Sequence, residues 1–171
     1  MQLNSLSDVL VEQLGDLYSA ETQLVAALPK AAEAAGAPEL EQVFATHLGE
    51  THEHVRRLEE LFAMIGEPIP HEECEAMKGL IQEADKVIRA SGDPAARDAA
   101  LIASAQRIEH YEIAAYGTAR VLAAELGLDG AGALLSETLA EEGEADKRLT
   151  KVAVGGLFGL GINEDAASVR S

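Results

Sequence analysis

Four long stretches of this 171-residue chain repeat apolar residues every three or four positions, and each breaks its apolar row with acid near the middle. No other feature limits the fold as much. The spacing is that of an amphipathic helix with one buried face. An acid on that face is buried, and a buried carboxylate without a partner is costly. The first row is Leu10, Leu14, Leu17, Glu21, Leu24, Leu28; the second is Leu40, Val43, His47, Glu50, His54 and then Leu58 or Leu61. The third runs Ile102, Ala105, Glu109, Glu112, Tyr116, Ala119. An adjacent row through Leu101, Ala105, Ile108 and Ala115 also contains Glu112, which makes it the safer interior acid of that pair. The fourth row reads Leu135, Leu139, Glu142, Asp146, Leu149, Ala153. A one-residue choice of register decides whether Glu141 or Glu142 faces inward.

Turn signals delimit the helices. Ser5 to Asp8 reads as a cap, and the first helix is expected from about Ser5 to Ala35, with Pro29 able to kink it or end it early. Gly36-Ala37-Pro38 stops it and starts the second, which ends at Gly66-Glu67-Pro68. A shorter helix is expected over about Glu72–Ala90, then long ones over about Pro94–Leu126 and Ala131–Val154. Residues 1–154 thus read as one helical domain, and the Gly-rich residues 155–171 as a mostly irregular tail. The fold expected is all-α: a four-helix bundle whose long central crossover carries an extra short helix, which is ferritin-like topology.

Composition agrees. Apolar residues are 47% of the chain, enough for a substantial core, while aromatics are only 4%. A formal charge of −17 repels phosphate backbones and anionic lipid, so neither nucleic acid nor a membrane is an expected partner. The single cysteine, Cys74, allows no internal disulfide and no cysteine-based metal cluster, and reads as a small buried group. The N-terminal stretch has no basic region followed by a long apolar run, so a cytoplasmic location is expected.

Acids on all four inward faces, with one or more imidazoles, are what a bundle needs to hold two metal ions in its core. Carboxylate oxygen plus imidazole suits iron or manganese better than thiolate-seeking metals. The usual di-iron pattern pairs a Glu with a Glu-x-x-His on its partner helix, twice over. This chain departs from it: Glu50 meets Glu53 at the third position and His54 only at the fourth, and the last helix offers Asp146 and no histidine. His54 is the histidine candidate; His47 reads as a packed core group, and His52 and His110 as surface or outer groups.

The stretches DLYSAETQL, HLGETHEHVRRLEELF, CEAMKGLIQEA, RDAALIASAQRIEHYEIAAYGTA and LLSETLAEEGEADKRLTKVA resemble, in order and over nearly all of residues 3–153, the YciF-type ferritin-like family of bacterial stress-associated proteins. The resemblance implies a bundle with extra helices, a di-metal centre similar to that of rubrerythrin, and a homodimer. By position it implies Glu21, Glu50, Glu112, Glu142 and Asp146 as metal-site acids, with Glu109 nearby.

The function expected is that of a di-iron (or manganese, or mixed) oxidoreductase that reduces peroxide or oxidises Fe(II) with oxygen or peroxide. Two other readings compete. One is iron sequestration in a closed cage, which needs a large oligomer. The other is a metal-free interaction bundle whose core acids pair with bases; Arg57 and Arg107 are the only bases near enough.

Overall fold

A computed structural model describes residues 3–156 and 159–168. Its four long helices are α1 (Leu6–Ala34), α2 (Pro38–Ile65), α4 (Pro94–Glu125) and α5 (Asp129–Val154). The crossover between the two hairpins carries α3 (Glu75–Ile88). Helices α1 and α2 pack as one hairpin and α4 and α5 as the other; α1 lies against α4, α2 against α5, and α3 against both α1 and α4. This is the ferritin-like four-helix bundle with a long crossover that the periodicity predicts.

Local chemistry sets the boundaries. Ser5 caps α1 through its hydroxyl, which accepts from the Asp8 amide at 3.1 Å, while the Asp8 carboxylate accepts from the Ser5 amide at 2.9 Å. Asp93 caps α4 directly before Pro94. Gly66 ends α2 with φ 73°, a left-handed conformation that side chains resist. Pro29 neither ends nor interrupts α1, which continues to Ala34. The helix is held by packing on either side of the proline: Leu24 and Leu28 are buried, and Ala31 and Ala32 lie against the same cluster.

The turn between α1 and α2 is fixed from outside the hairpin. Buried Asp98 on α4 accepts from the amide of Gly36 at 2.9 Å and from that of Ala37 at 2.7 Å. Arg97 donates to the Ala34 carbonyl at 3.1 Å. Unsatisfied amides and carbonyls at the hairpin tip thereby find partners on the second hairpin.

The tail differs from the irregular segment expected. Gly155–Gly156 pairs antiparallel with Gly159–Leu160 as two-residue strands, and helix α6 (Ile162–Ser168) packs on α4 and α5. Gly161 makes this turn back: a Cβ there would collide with the backbone of Ala153, Val154 and Gly155. The close approach buries Ile162 against the end of the core. Residues 157–158 and 169–171 of the expected tail lie outside the described residues.

The core falls into two apolar clusters. One holds Leu10, Leu14, Leu17, Leu58, Leu61, Phe62 and Leu135; the other holds Leu24, Leu28, Leu40, Phe44, Leu101, Ile102 and Leu149. Between them, on every long helix, lies a layer of buried polar side chains: Glu21, His47, Thr51, His54, Glu109, Glu112 and Glu142. Among the described residues no helix is long and apolar enough to cross a membrane.

Candidate metal centre

Each long helix delivers its part of the layer by its own heptad-like spacing. Glu21 follows Leu14 and Leu17 on α1 and is fully buried. On α2 the inward stripe is His47, Thr51, His54, with Thr51 closing back on the His47 carbonyl at 3.0 Å. On α4 it is Glu109, Glu112, Tyr116, and on α5 Thr138, Glu142, Ala145. Glu142 is the inward acid of its pair, since it is fully buried while the Glu141 side chain keeps 35% of its exposure.

These side chains form two groups whose ligand atoms lie within 4.8 Å of one another: Glu21, His54 and Glu142; and His47, Glu109, Glu112 and Glu142. Glu142 belongs to both. His54 Nδ1 lies 3.0 Å from Glu142 Oε1 and 3.2 Å from Glu21 Oε1. His47 Nε2 lies 3.4 Å from Glu109 Oε1 and 3.9 Å from Glu142 Oε2. None of these histidine contacts has hydrogen-bond geometry. Among the described residues, ten buried side-chain polar atoms make no hydrogen bond, and eight of them lie here: one oxygen each on Glu21 and Glu109, both on Glu112 and Glu142, and the two facing imidazole nitrogens. Native interiors rarely leave such atoms unpaired, and a cluster of them needs a reason.

Around this set, other residues fix the ligands. Tyr116 donates its hydroxyl to Glu21 Oε1 at 2.6 Å. His54 Nε2 donates to Glu141 Oε2 at 2.9 Å, and Glu141 is itself gripped by Arg57, which also donates to Thr138 at 3.2 Å. A histidine whose far nitrogen is held by a carboxylate keeps its near nitrogen aimed at one place.

The electrostatics follow from burial. Burial pushes Glu112 well above the ordinary carboxylate range, and the neighbouring charges of Glu142, Glu21 and Glu109 push it further. Glu109 is raised by burial and by Glu142. Burial also raises Glu21, against the pull of His54. For His54 burial opposes the charge, but Glu142 and Glu21 outweigh it and hold the imidazole protonated up to about 11. Burial works against the Glu142 anion too, yet His54 and His47 bring it below the ordinary range. The layer therefore favours bound protons on Glu21, Glu109, Glu112 and His54.

Of the residues expected from sequence, the structure brings together Glu21, His54, Glu109, Glu112 and Glu142. It does not bring Glu50 or Asp146 into either group. Glu50 pairs with Arg148 and lies 3.4 Å from His47 Nδ1; Asp146 accepts from Gln106 at 3.0 Å and lies 3.4 Å from His110. Both sit one step off the inward stripe, which runs 47–51–54 rather than 47–50–54 on α2, and 138–142–145 rather than 139–142–146 on α5. His47, read as a packed core group, is instead an open imidazole within the second set. Its signal was its spacing: four and three residues separate His47, Thr51 and His54. His52 and His110 are exposed, and Cys74 is buried, capping α3 and lying 3.0 Å from the Tyr111 hydroxyl.

Fold and site together define a ferritin-like bundle with a buried carboxylate–histidine layer at mid-height. The family model described as "Domain of unknown function (DUF892)" matches residues 5–159, and the chain belongs to that family. It is 45% identical over 155 residues to Protein YciF of Escherichia coli (strain K12), covering 90% of this chain and 93% of YciF. The crystal structure of the E. coli stress protein YciF superimposes with a TM-score of 0.87 at 45% identity, over 89% of this chain and 96% of that one. A protein from Xanthomonas campestris pv. campestris shares the fold at 20% identity, with a TM-score of 0.68 over 86% of this chain and 89% of its own.

Proposed function

We propose that the layer holds two metal ions, iron before manganese or a mixed pair, with Glu142 as the residue that would serve both. One observation carries this: two ligand sets share a single fully buried carboxylate whose oxygens, both of them, have no hydrogen-bond donor. The donor set fits, because carboxylate oxygen and imidazole nitrogen are what ferrous and manganous ions take. Two divalent ions would also neutralise the four glutamates, three of which, Glu21, Glu109 and Glu112, burial otherwise pushes towards the protonated form. Glu21 and His54 would hold one ion, and His47, Glu109 and Glu112 the other.

Such a pair, when ferrous, supplies two electrons, enough with two protons to take one peroxide to two waters or to reduce oxygen to peroxide. This chain's own residues set the conditions for that chemistry. The Tyr116 hydroxyl holds Glu21 and leaves its second oxygen free to face an ion. Arg57 and Glu141 aim His54. Leucine layers above and below exclude water. A stress-associated oxidoreductase consuming peroxide or oxygen is the function this arrangement supports best, and the homodimer proposed with it rests on the family resemblance alone. The test is to load the purified chain with Fe(II) without oxygen, count bound iron, and add peroxide. About two irons per chain and a ferric absorbance change support the reading; well under one iron per chain sinks it. In that case the imidazolium of His54 between Glu21 and Glu142 would be the layer's own resolution, and the chain a metal-free bundle.

A further inference from the structure

An apolar pocket runs from the surface beside α3 into the bundle and ends on His47 and Glu109. Its walls are Leu24, Leu28, Phe44, Leu101, Ala105 and Ile108, and its mouth is formed by half-buried Ile81, Ala84 and Ile88 of the crossover helix. Among the described residues, Asp85 is the only acid along it other than Glu109. At the floor, His47 and Glu109 are each 3% exposed, and His47 Nε2 and Glu109 Oε2 have no hydrogen-bond partner.

From this geometry we infer that the pocket beneath α3 is a binding site for a small apolar gas, dioxygen, and its route to the His47–Glu109 side of the layer. Size sets the occupant. The interior is about 40 Å³, room for one diatomic molecule. An engineered cavity that admits benzene is about 150 Å³, and pockets for larger organic ligands begin at about 300 Å³. Lining sets it too. Past Asp85, peroxide and water would leave their hydrogen bonds behind and find no side-chain donors or acceptors along the apolar walls until the floor, a cost of several hydrogen-bond equivalents. Dioxygen has no such hydrogen bonds to lose. The crossover helix thereby acquires a role beyond connection: Ile81, Ala84 and Ile88 shape the opening. The route rests on the metal reading above, but the gas site does not.

The test separates the two. Crystals of the metal-free chain are pressurised with xenon, an apolar probe of similar size, and anomalous scattering locates it. The inference expects a xenon among Leu28, Leu101 and Ala105, lost in Ala84→Leu. Hydrogen-bonded water there under xenon pressure, or no xenon, overturns the gas site. In iron-loaded protein, Ala84→Leu is expected to slow oxidation of Fe(II) by dioxygen at least several-fold and to leave oxidation by hydrogen peroxide unchanged. Equal slowing by both oxidants, or by neither, overturns the route. If Ala84→Leu does not fold, Ala105→Val narrows the same pocket from α4, with the same outcomes expected. A chain that takes up xenon in the pocket but no iron retains the gas site and sinks the metal reading alone.

Discussion

Glu142 and Glu112 are the two side chains on which the site turns. Both are fully buried, and neither carboxylate oxygen of either has a hydrogen-bond donor. Because Glu142 is shared, Glu142→Ala should lower bound iron from about two per chain to well under one, whereas Glu21→Ala should leave one; metal analysis after anaerobic loading distinguishes them. Replacing Glu112 by leucine removes a buried, unpaired acid, so the metal-free protein should gain about 1–3 kcal/mol in urea denaturation while losing metal. A variant made less stable in the metal-free state would mean that Glu112 has a partner after all. The pH dependence has a defined sign. Glu109 and Glu112 lie well above their ordinary 4.5, and His54 above its ordinary 6.5, so the folded metal-free chain binds more protons than the unfolded one. Stability contributed by these protons is full below 4.5 and is lost as pH rises, from His54 progressively between 6.5 and about 11. The melting temperature of metal-free protein should therefore fall from pH 5 to pH 8. Metal binding displaces those protons, so affinity should rise over the same interval. At this scale the sequence disclosed which residue types were out of place, because an acid in a leucine row is visible without coordinates. It did not disclose the stripe to within one residue. Steps of three and of four are both helical, so spacing alone led to Glu50 and Asp146, whereas the inward positions are Thr51 and Ala145, and Arg148 and Gln106 claim Glu50 and Asp146 instead.

At the scale of elements, the helices were legible because caps, glycines and prolines mark their ends. Asp98 was not, since its role depends on a turn 61 or 62 residues away in sequence. Asp98→Ala should cost about 1.5–3 kcal/mol, the range for hydrogen bonds to a charged group, read by urea denaturation. A loss below a few tenths would mean that the turn amides find water instead. Pro29 is exposed and inside an intact helix, so it leaves a backbone carbonyl one turn earlier without its usual donor. Pro29→Ala should raise the melting temperature; an unchanged or lower value would show that the proline's restriction of the unfolded chain outweighs the missing bond. The tail escaped the reading for a different reason. Helix α6 is only seven residues long and depends on the fit of Gly161 against Ala153–Gly155, a contact with no periodic signature.

The whole molecule is two apolar clusters separated by a polar layer. The layer interrupts burial where a bundle gains most from it, so the metal-free protein is stabilised less than its length allows. Bound metal would reverse this, since an ion that binds only the folded chain adds stability that grows with the logarithm of its concentration over Kd. The formal charge of −17 favours cation approach by the same sign. The central claim is that one layer holds two ions about Glu142, and it is tested most directly by anomalous scattering at the iron edge on a crystal grown with Fe(II). Two peaks are expected, one among Glu21, His54 and Glu142 and the other among His47, Glu109, Glu112 and Glu142. A layer without iron, its histidines bonded to protonated glutamates, would contradict the account.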